Sequence, residues 1–481
     1  MESEEIEAIK AKTTTSIIFL TFRNIGIQAI SMLGFFLLTI LLGTAEIGLF
    51  AIVAESVSIL GYFSDVGLAP TLIQQKAKPT IEQLRTTFLI QQILVIVALI
   101  TVSIIYPSIS TSRHYGSKEL WITVSLCFAF LAASLKTIPS ILLERELNFK
   151  LLSTIDIIEN ITFYFVAVIF ALWGYGAFSY AIATFVRSIL GLVIIYIYSW
   201  WPVGLYFSLD TTKALFKYGI PFQLNSFIAM AKDRLSNILV AGIIGRESFG
   251  LLAWAQKGPR IPLSFMDAIM KVTFPTFARI QDEALLLQKS LSRSIFFIAL
   301  VVFPLLAGIS VVAPDLILLI PKYSKWSPAI FPMYLFAISA AIAAVTTPLT
   351  NAFNAVGKIA ITTKLMIMWT ILTWLTFPIL SHLYGFRGTS VANLLVGLSS
   401  VVVWVIAHRI FNMNVLTTIF HPLIGTSLLL ISTIYLNHFL FAPFLSISLK
   451  IIIGTLVYTL YLYYFCHPDI KWFFNQLKWP K

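Results

Sequence analysis

The sequence predicts an all-α polytopic membrane protein of about fourteen transmembrane helices, and three observations predict it. Of its 481 residues 58% are hydrophobic and 11% are charged, with a mean hydropathy of +0.90. A soluble domain carries roughly 25% charge, and a disordered chain has low hydrophobicity, so both classes are excluded. Apolar runs of roughly 20 residues, the length that crosses a bilayer core, recur to the C-terminus. That excludes a receptor with a single span, and a β-barrel would show short alternating segments instead. Several connections are very short, such as Gly43-Thr44-Ala45-Glu46 and Gly174-Tyr175-Gly176. Short connections make neighbouring helices antiparallel.

The expected spans follow in order. Ser16–Leu42 comes after an acidic start with four Glu and no basic n-region, so a retained first helix is expected rather than a cleaved signal. Ile47–Ile73 carries Glu55, Ser58, Tyr62 and Asp65 at i, i+3, i+7 and i+10, one polar stripe on an apolar helix. Thr86–Tyr106 and Leu120–Leu143 are apolar throughout most of their length. Leu151–Trp173 carries the patch Asp156, Glu159 and Asn160, and Ala177–Trp200 carries Arg187. After a polar connector, Leu215–Ile244 holds Lys232, Asp233 and Arg234. Phe249–Met270 holds Lys257 and Arg260 at i, i+3, on one helix face, with Trp254 and Gln256 beside them. Pro259 and Pro262 in the same span predict a kink that frees backbone carbonyls near those cations. Ser294–Ala313, Pro328–Leu349, Ile359–Leu383, Thr389–Ile410, Pro422–Leu440 and Ser446–Cys466 complete the series. Between them, Phe274 to Arg293 reads as a basic amphipathic segment at the cytoplasmic interface, drawn there by anionic lipid.

The net charge of +12 divides along this topology. With the N-terminus inside, twenty of the 33 Lys and Arg fall in inner segments and seven in outer ones, Lys450 among the seven. This bias predicts both termini in the cytoplasm. The remaining six are Arg23, Arg187, Lys232, Arg234, Lys257 and Arg260, all near mid-helix. A charge at that depth costs about 2.5–3.5 kcal/mol on insertion scales, so it needs a cavity or a partner. The acids at similar depth are Glu55 and Asp233, while Asp65, Asp156, Glu159 and Asp267 lie nearer the cytoplasmic ends. Two acids do not neutralise six cations, which points to a cationic cavity for an anionic substrate. Arginine suits phosphate because its planar fork donates two hydrogen bonds at once. The competing reading is structural pairing, Asp233 with Arg260 or Lys257 and Glu55 with Arg23. Because Lys232, Asp233 and Arg234 are consecutive, they point in different directions and do not all face one cavity.

An internal repeat organises the chain. Gly43 to Ala51 and Gly245 to Ala253 both read Gly-x4-Gly-Leu-x-Ala, offset by 202 residues, and Asp65 meets Asp267 at the same offset. Six spans per half imply parallel repeats. The expected division is an N-terminal lobe over 1–204, a C-terminal lobe over 205–415, and two further helices with a tail over 416–481. Cys127 and Cys466 have no paired spacing, and no histidine has a second ligand at i+3 or i+4, so neither a disulfide framework nor a metal site is expected. No P-loop or Ser/His/Asp pattern is present, and the outer segments are too short for a folded domain. The chain is therefore expected to be no enzyme, to bind no nucleic acid, and to take no organic cofactor.

Several motifs together resemble the polysaccharide flippases of the multidrug/oligosaccharidyl-lipid/polysaccharide exporter superfamily, over nearly the whole chain. They are Leu42-Gly43 through Ala51, Asp65-Val66-Gly67-Leu68-Ala69-Pro70, Glu144-Arg145-Glu146-Leu147-Asn148-Phe149-Lys150, Asp233-Arg234-Leu235, Phe274-Pro275-Thr276-Phe277-Ala278-Arg279, and Asn351-Ala352-Phe353-Asn354-Ala355-Val356-Gly357-Lys358. The resemblance implies transfer of undecaprenyl-diphosphate-linked oligosaccharide from the cytoplasmic to the outer leaflet of the cell membrane, by alternating access. It implies that the six mid-helix cations meet the anionic polyprenyl-diphosphate-linked glycan, with membrane lipids and a polysaccharide polymerase or assembly proteins as partners. It also implies coupling to a proton or sodium ion, for which Glu55, Asp65, Asp156, Glu159 and Asp233 are candidates. The basic run Gln256-Lys257-Gly258-Pro259-Arg260 exceeds the general pattern and suggests an acidic sugar. A flippase for the lipid-linked peptidoglycan precursor is the alternative. A drug/cation antiporter would carry more acids than cations, and a membrane polymerase or ligase would carry a large outer loop.

Overall fold

Among the described residues of the computed structural model, eleven helices are long and apolar enough to cross a membrane. The structure describes residues 26–64, 78–113, 116–146, 148–213, 230–439 and 442–466, with isolated positions around them. No strand occurs among the described residues. Helix α1 is Gly26–Leu41, α2 Thr44–Ser64, α3 Ile81–Arg113, α4 Ser117–Arg145, α5 Phe149–Leu172 and α6 Phe178–Tyr198. A π-helix over Ala231–Leu235 leads into α7, Ser236–Arg279. Then come α8 Ala284–Leu319, a 3-10 stretch Pro321–Ala329, α9 Ile330–Ala355 and α10 Ile359–Ser399. The last are α11 Val401–Phe411, α12 Val415–Tyr435 and α13 Pro443–Phe465.

The count differs from fourteen for local reasons. Two of the eleven helical stretches run over 49 residues (Ala231–Arg279) and 53 residues (Ile359–Phe411). At about 1.5 Å per residue each is more than twice the thickness of a bilayer core. Each turns at a glycine in the left-handed region, Gly245 at φ 77° and Gly385 at φ 59°, where a side chain would be strained. Gly26–Leu41 is apolar but shorter than a full span, and parts of the first and seventh expected spans lie outside the described residues. Pro259 and Pro262 lie inside α7, whose backbone keeps helical φ/ψ at both and leaves them at Gly245.

The chain forms two compact units, 1–250 and 251–481. In the first, α6 packs on α4 and α5, and α2 packs on α3 and α4. Leu49 and Val53 of α2 meet Ile122 and Leu126 of α4 and Ala177 and Ala181 at the start of α6. Phe88, Ile138 and the fully buried Trp201 close a second core. In the second unit, α8 packs against α9, α12 and α13, and α9 packs on α10. Its core joins Leu291, Ile295 and Ala299 of α8 to Leu349 and Phe353 of α9 and Phe411 at the end of α11. Asn148 and Asn414 accept backbone N–H bonds at the first turns of α5 and α12, and so fix where those helices begin. Ile104, Phe165, Ile197 and Tyr464 stay exposed on their helices. Such faces suit hydrocarbon rather than water, and the protein is a multi-pass membrane protein.

Candidate functional site

Of the six mid-helix cations, Arg187, Lys232 and Arg234 lie in the first unit and Lys257 and Arg260 in the second, while Arg23 lies outside the described residues, as does Asp65. In the first unit, the side chains of Arg234 and Glu55 form an ion pair at 2.7 Å, and Asn237 Nδ2 donates to the other Glu55 oxygen at 3.5 Å. The π-helix presents Arg234 to α2 by adding a residue to the turn; such bulges re-aim side chains and recur at functional sites. Lys232 pairs with its neighbour Asp233, and Ser236 Oγ closes the bulge by donating to the Lys232 and Asp233 carbonyls. Glu55 therefore has Arg234, and Asp233 has Lys232, as an ion-pair partner, while the expected pairing of Glu55 with Arg23 lies outside the described residues.

The second cluster of that unit lies between α4, α5 and α6. Lys136 of α4 donates to Glu159 of α5. Gly191 of α6 makes room for the same carboxylate, because a Cβ there would overlap Glu159 Oε1. One turn earlier on α6, the Arg187 guanidinium sits 4.9 Å from the centroid of the Phe163 ring. Arg187 lies within Coulombic reach of Glu159 and Tyr164 but has no hydrogen-bond or ion-pair partner among the described residues. Asp156 is half-buried one turn before Asn160, whose Oδ1 accepts a hydrogen bond from Ser31 of α1.

In the second unit, Lys257 and Arg260 head a longer stripe than their spacing alone indicates. Lys257, Arg260, Ser264, Asp267 and Lys271 follow one another at intervals of three and four residues, so they share one face of α7. All five are exposed or half-exposed, while Leu252, Ala255, Met266 and Met270 on the same helix are buried. Arg260 is exposed and makes no hydrogen bond or ion pair among the described residues; Asp267, two turns on, is within Coulombic reach of it and of Lys271. Trp254 does not add to this face. It is buried, stacked on Trp326 at 5.7 Å, with its indole N–H donating to the Tyr323 hydroxyl. It anchors the helix beneath the stripe.

Sequence reasoning missed one charged site. Lys450, counted with the outer segments, lies within α13, is 3% exposed, and donates to Asp315 of α8 at 2.6 Å. Ser446 donates to the same carboxylate oxygen at 2.8 Å. The signal was there, a lysine four residues beyond a serine inside an apolar run, but its partner is 135 residues away. These two charges border a cavity of about 820 Å³ lined mostly by apolar side chains such as Phe303, Ile342, Trp404 and Leu423. No group of three His, Cys, Asp or Glu side chains that could hold a metal occurs among the described residues.

Among the described residues the arrangement thus offers a basic helix face and an apolar cavity. Residues 37–331 match the polysaccharide biosynthesis protein family. The lipopolysaccharide biosynthesis protein WzxC of Escherichia coli is 23% identical over 400 residues, covering 81% of this chain and 79% of that protein. The teichuronic acid biosynthesis protein TuaB of Bacillus subtilis is 26% identical over 299 residues, 61% of each chain. Among solved structures, the lipid II flippase MurJ in an inward closed conformation has the same fold, with a TM-score of 0.76 at 15% identity over 94% of this chain and 100% of that one. An inward-facing multidrug MATE transporter aligns with a TM-score of 0.60 at 13% identity, over 80% of this chain and 94% of that one. The chain belongs to the polysaccharide biosynthesis protein family.

Proposed function

We propose that the protein flips a polyprenyl-diphosphate-linked oligosaccharide from the cytoplasmic to the outer leaflet, for assembly of a surface polysaccharide. The observation that carries this reading is the stripe on α7, where Arg260 stands exposed and makes no hydrogen bond or ion pair among the described residues. An uncompensated guanidinium at that depth is costly unless an anion meets it, and a phosphate does so with two hydrogen bonds. Lys257 and Lys271 extend the positive face along the helix, which fits a ligand carrying more than one negative group. The apolar cavity beside Phe303 and Leu423 suits hydrocarbon, as a lipid-linked substrate requires. WzxC and TuaB are named for lipopolysaccharide and teichuronic acid biosynthesis, which supports a glycan as the cargo.

Further parts of the reading follow from the charge distribution. The inner excess of Lys and Arg supports cytoplasmic termini, and the six-span repeats support lobes over 1–204 and 205–415 that alternate access to a cationic cavity. A proton or sodium ion couples transport through one of Glu55, Asp65, Asp156, Glu159 and Asp233. Of these, Glu55 bridges α2 to the π-helix and is the strongest candidate. A polysaccharide polymerase receives the flipped unit. The fold shared with the lipid II flippase favours a second reading, transport of the peptidoglycan precursor.

Complementation separates the two. The gene is introduced into cells lacking a polysaccharide flippase and, separately, into cells lacking the peptidoglycan-precursor flippase. Restored surface polymer in the first cells supports the proposal. Rescue of the second cells alone replaces it with the alternative.

A further inference from the structure

Arg187 sits inside the first unit, and its charge is not met there. Phe163 of α5 lies against Arg187, and Glu159 of α5 lies against Gly191. The two contacts are four residues apart on both helices, so they share one antiparallel register of α5 and α6. The exposed side chains of α6, Phe185, Val186, Ile189, Val193 and Ile197, lie on the other side of that helix. The guanidinium is therefore turned into the helix packing and away from lipid.

Two cations share one carboxylate at this place. The Lys136 ammonium donates directly to Glu159, whereas Arg187 reaches the same acid only through Coulomb attraction. Asp156, one turn before Glu159, is engaged in a contact of its own and makes no ion pair with Arg187. The Phe163 ring, 4.9 Å away, attracts the cation but supplies no oxygen or nitrogen acceptor for its N–H groups. One acid between two cations leaves a positive charge at mid-helix. Water satisfies N–H groups but does not cancel that charge, which is costly at such depth.

The surroundings suit something small. Toward the α5–α6 turn, Phe50 and Tyr180 stack at 4.0 Å, and Phe163 lies 6.0 Å and 6.1 Å from them. On the other side, the Glu159 carboxylate occupies the space that a side chain at Gly191 would take. Aromatic rings on one side and a packed ion pair on the other favour a single small ion over a sugar or a diphosphate.

We propose that the Arg187 guanidinium, held between the Phe163 ring and the Lys136–Glu159 pair, binds one small monovalent anion such as chloride. The ion completes the charge balance among α4, α5 and α6: two cations against Glu159 and the anion. The site takes Arg187 out of the set of cations expected to meet the cargo. It is separate from the α7 stripe and does not depend on what the cargo is.

The test compares the melting temperature of the purified full-length protein in sodium chloride and in sodium gluconate at equal concentration. The expected result is a higher melting temperature in chloride, rising with concentration to a plateau, because an ion that binds only the folded protein stabilises it by mass action. Arg187→Gln loses the difference. Lys136→Gln loses it too, because Glu159 is released to neutralise Arg187 in the anion's place. A Lys136–Glu159 pair of purely structural role would lower stability equally in both salts and leave the difference unchanged, which overturns the proposal. Glu159→Gln moves the midpoint to several-fold lower chloride, because more positive charge faces the ion. Arg260→Ala keeps the full difference. In crystals grown with bromide, anomalous scattering places an ion beside Arg187. Equal melting temperatures of the unsubstituted protein in the two salts overturn the site, as does bromide bound only at other positions. Inorganic diphosphate that abolishes the chloride difference returns Arg187 to the cargo site and also overturns it. The expected chloride difference in a protein that exports no polysaccharide supports the anion site and sinks the flippase reading alone.

Discussion

The charged clusters of the first unit and the basic stripe of the second differ in what their charges have found. In the first unit Arg234 meets Glu55, Lys136 meets Glu159, Lys232 meets Asp233, and Arg246 meets Glu119. These cations are neutralised where they stand, and each pair except Lys232–Asp233 ties two elements together. On α7 beyond Gly250, Arg260 has no such partner among the described residues, and the stripe from Lys257 to Lys271 carries one acid, Asp267. The difference teaches that a charge inside the membrane-spanning region is not by itself a sign of substrate. A pair at 2.6–2.7 Å holds the fold, whereas an exposed guanidinium without an acceptor is open to one.

Substitutions that break pairs should therefore cost stability, and those on the stripe should cost transport. The largest loss of stability is expected for Lys450→Ala, which leaves Asp315 buried beside Ser446 with its cation gone. Breaking a buried pair costs about 3–5 kcal/mol, read as a lower melting temperature of the purified protein. The double variant Lys450→Met with Asp315→Leu recovers most of it, because the pair is replaced by apolar surface.

Gly191→Ala ranks next. Its methyl occupies the position of the Glu159 carboxylate, so the Lys136–Glu159 pair must shift, at about 1–3 kcal/mol for an overpacked site. A melting temperature equal to that of the unsubstituted protein would mean that α5 and α6 are not this close. Glu55→Gln should lower stability by about 1 kcal/mol or less, since both partners of its pair are partly exposed. A proton-coupled transporter with Glu55 as its coupling group would in addition lose the pH dependence of export in this variant. Retention of that dependence assigns coupling to another acid.

The smallest effect on stability, within about 0.5 kcal/mol, is expected for Arg260→Ala, an exposed position away from packed features. Export of surface polymer nevertheless falls roughly tenfold or more, with unchanged expression and melting temperature. Arg260→Lys restores part of it, because charge returns without the planar fork. Normal export by Arg260→Ala removes the stripe from the transport site.

Much of the architecture was legible before any coordinates. Apolar runs of spanning length were enough for an all-helical membrane protein, because hydrocarbon admits no unpaired backbone. The Lys257–Arg260 face was legible because i, i+3 spacing is a local property of a helix. Ser264, Asp267 and Lys271 continue the same spacing and could have been added to it. The repeat was legible as two hairpins. The turn at Gly245 was legible as the gap between the seventh and eighth spans, but its left-handed φ was not, because spacing does not reveal a dihedral. Arg23 and Asp65 lie outside the described residues, so their roles stay with the sequence argument.

By itself, then, the sequence determined what depends on neighbours along the chain: hydropathy, helix faces, charge bias and the paired glycine hairpins. Tertiary structure alone decided which charges cancel. Glu55 and Arg234 are 179 residues apart, Asp315 and Lys450 135, and Glu119 and Arg246 127. The reason is physical. Coulomb attraction and desolvation act through space between side chains that only folding brings together, and no local spacing records which cation an acid will meet.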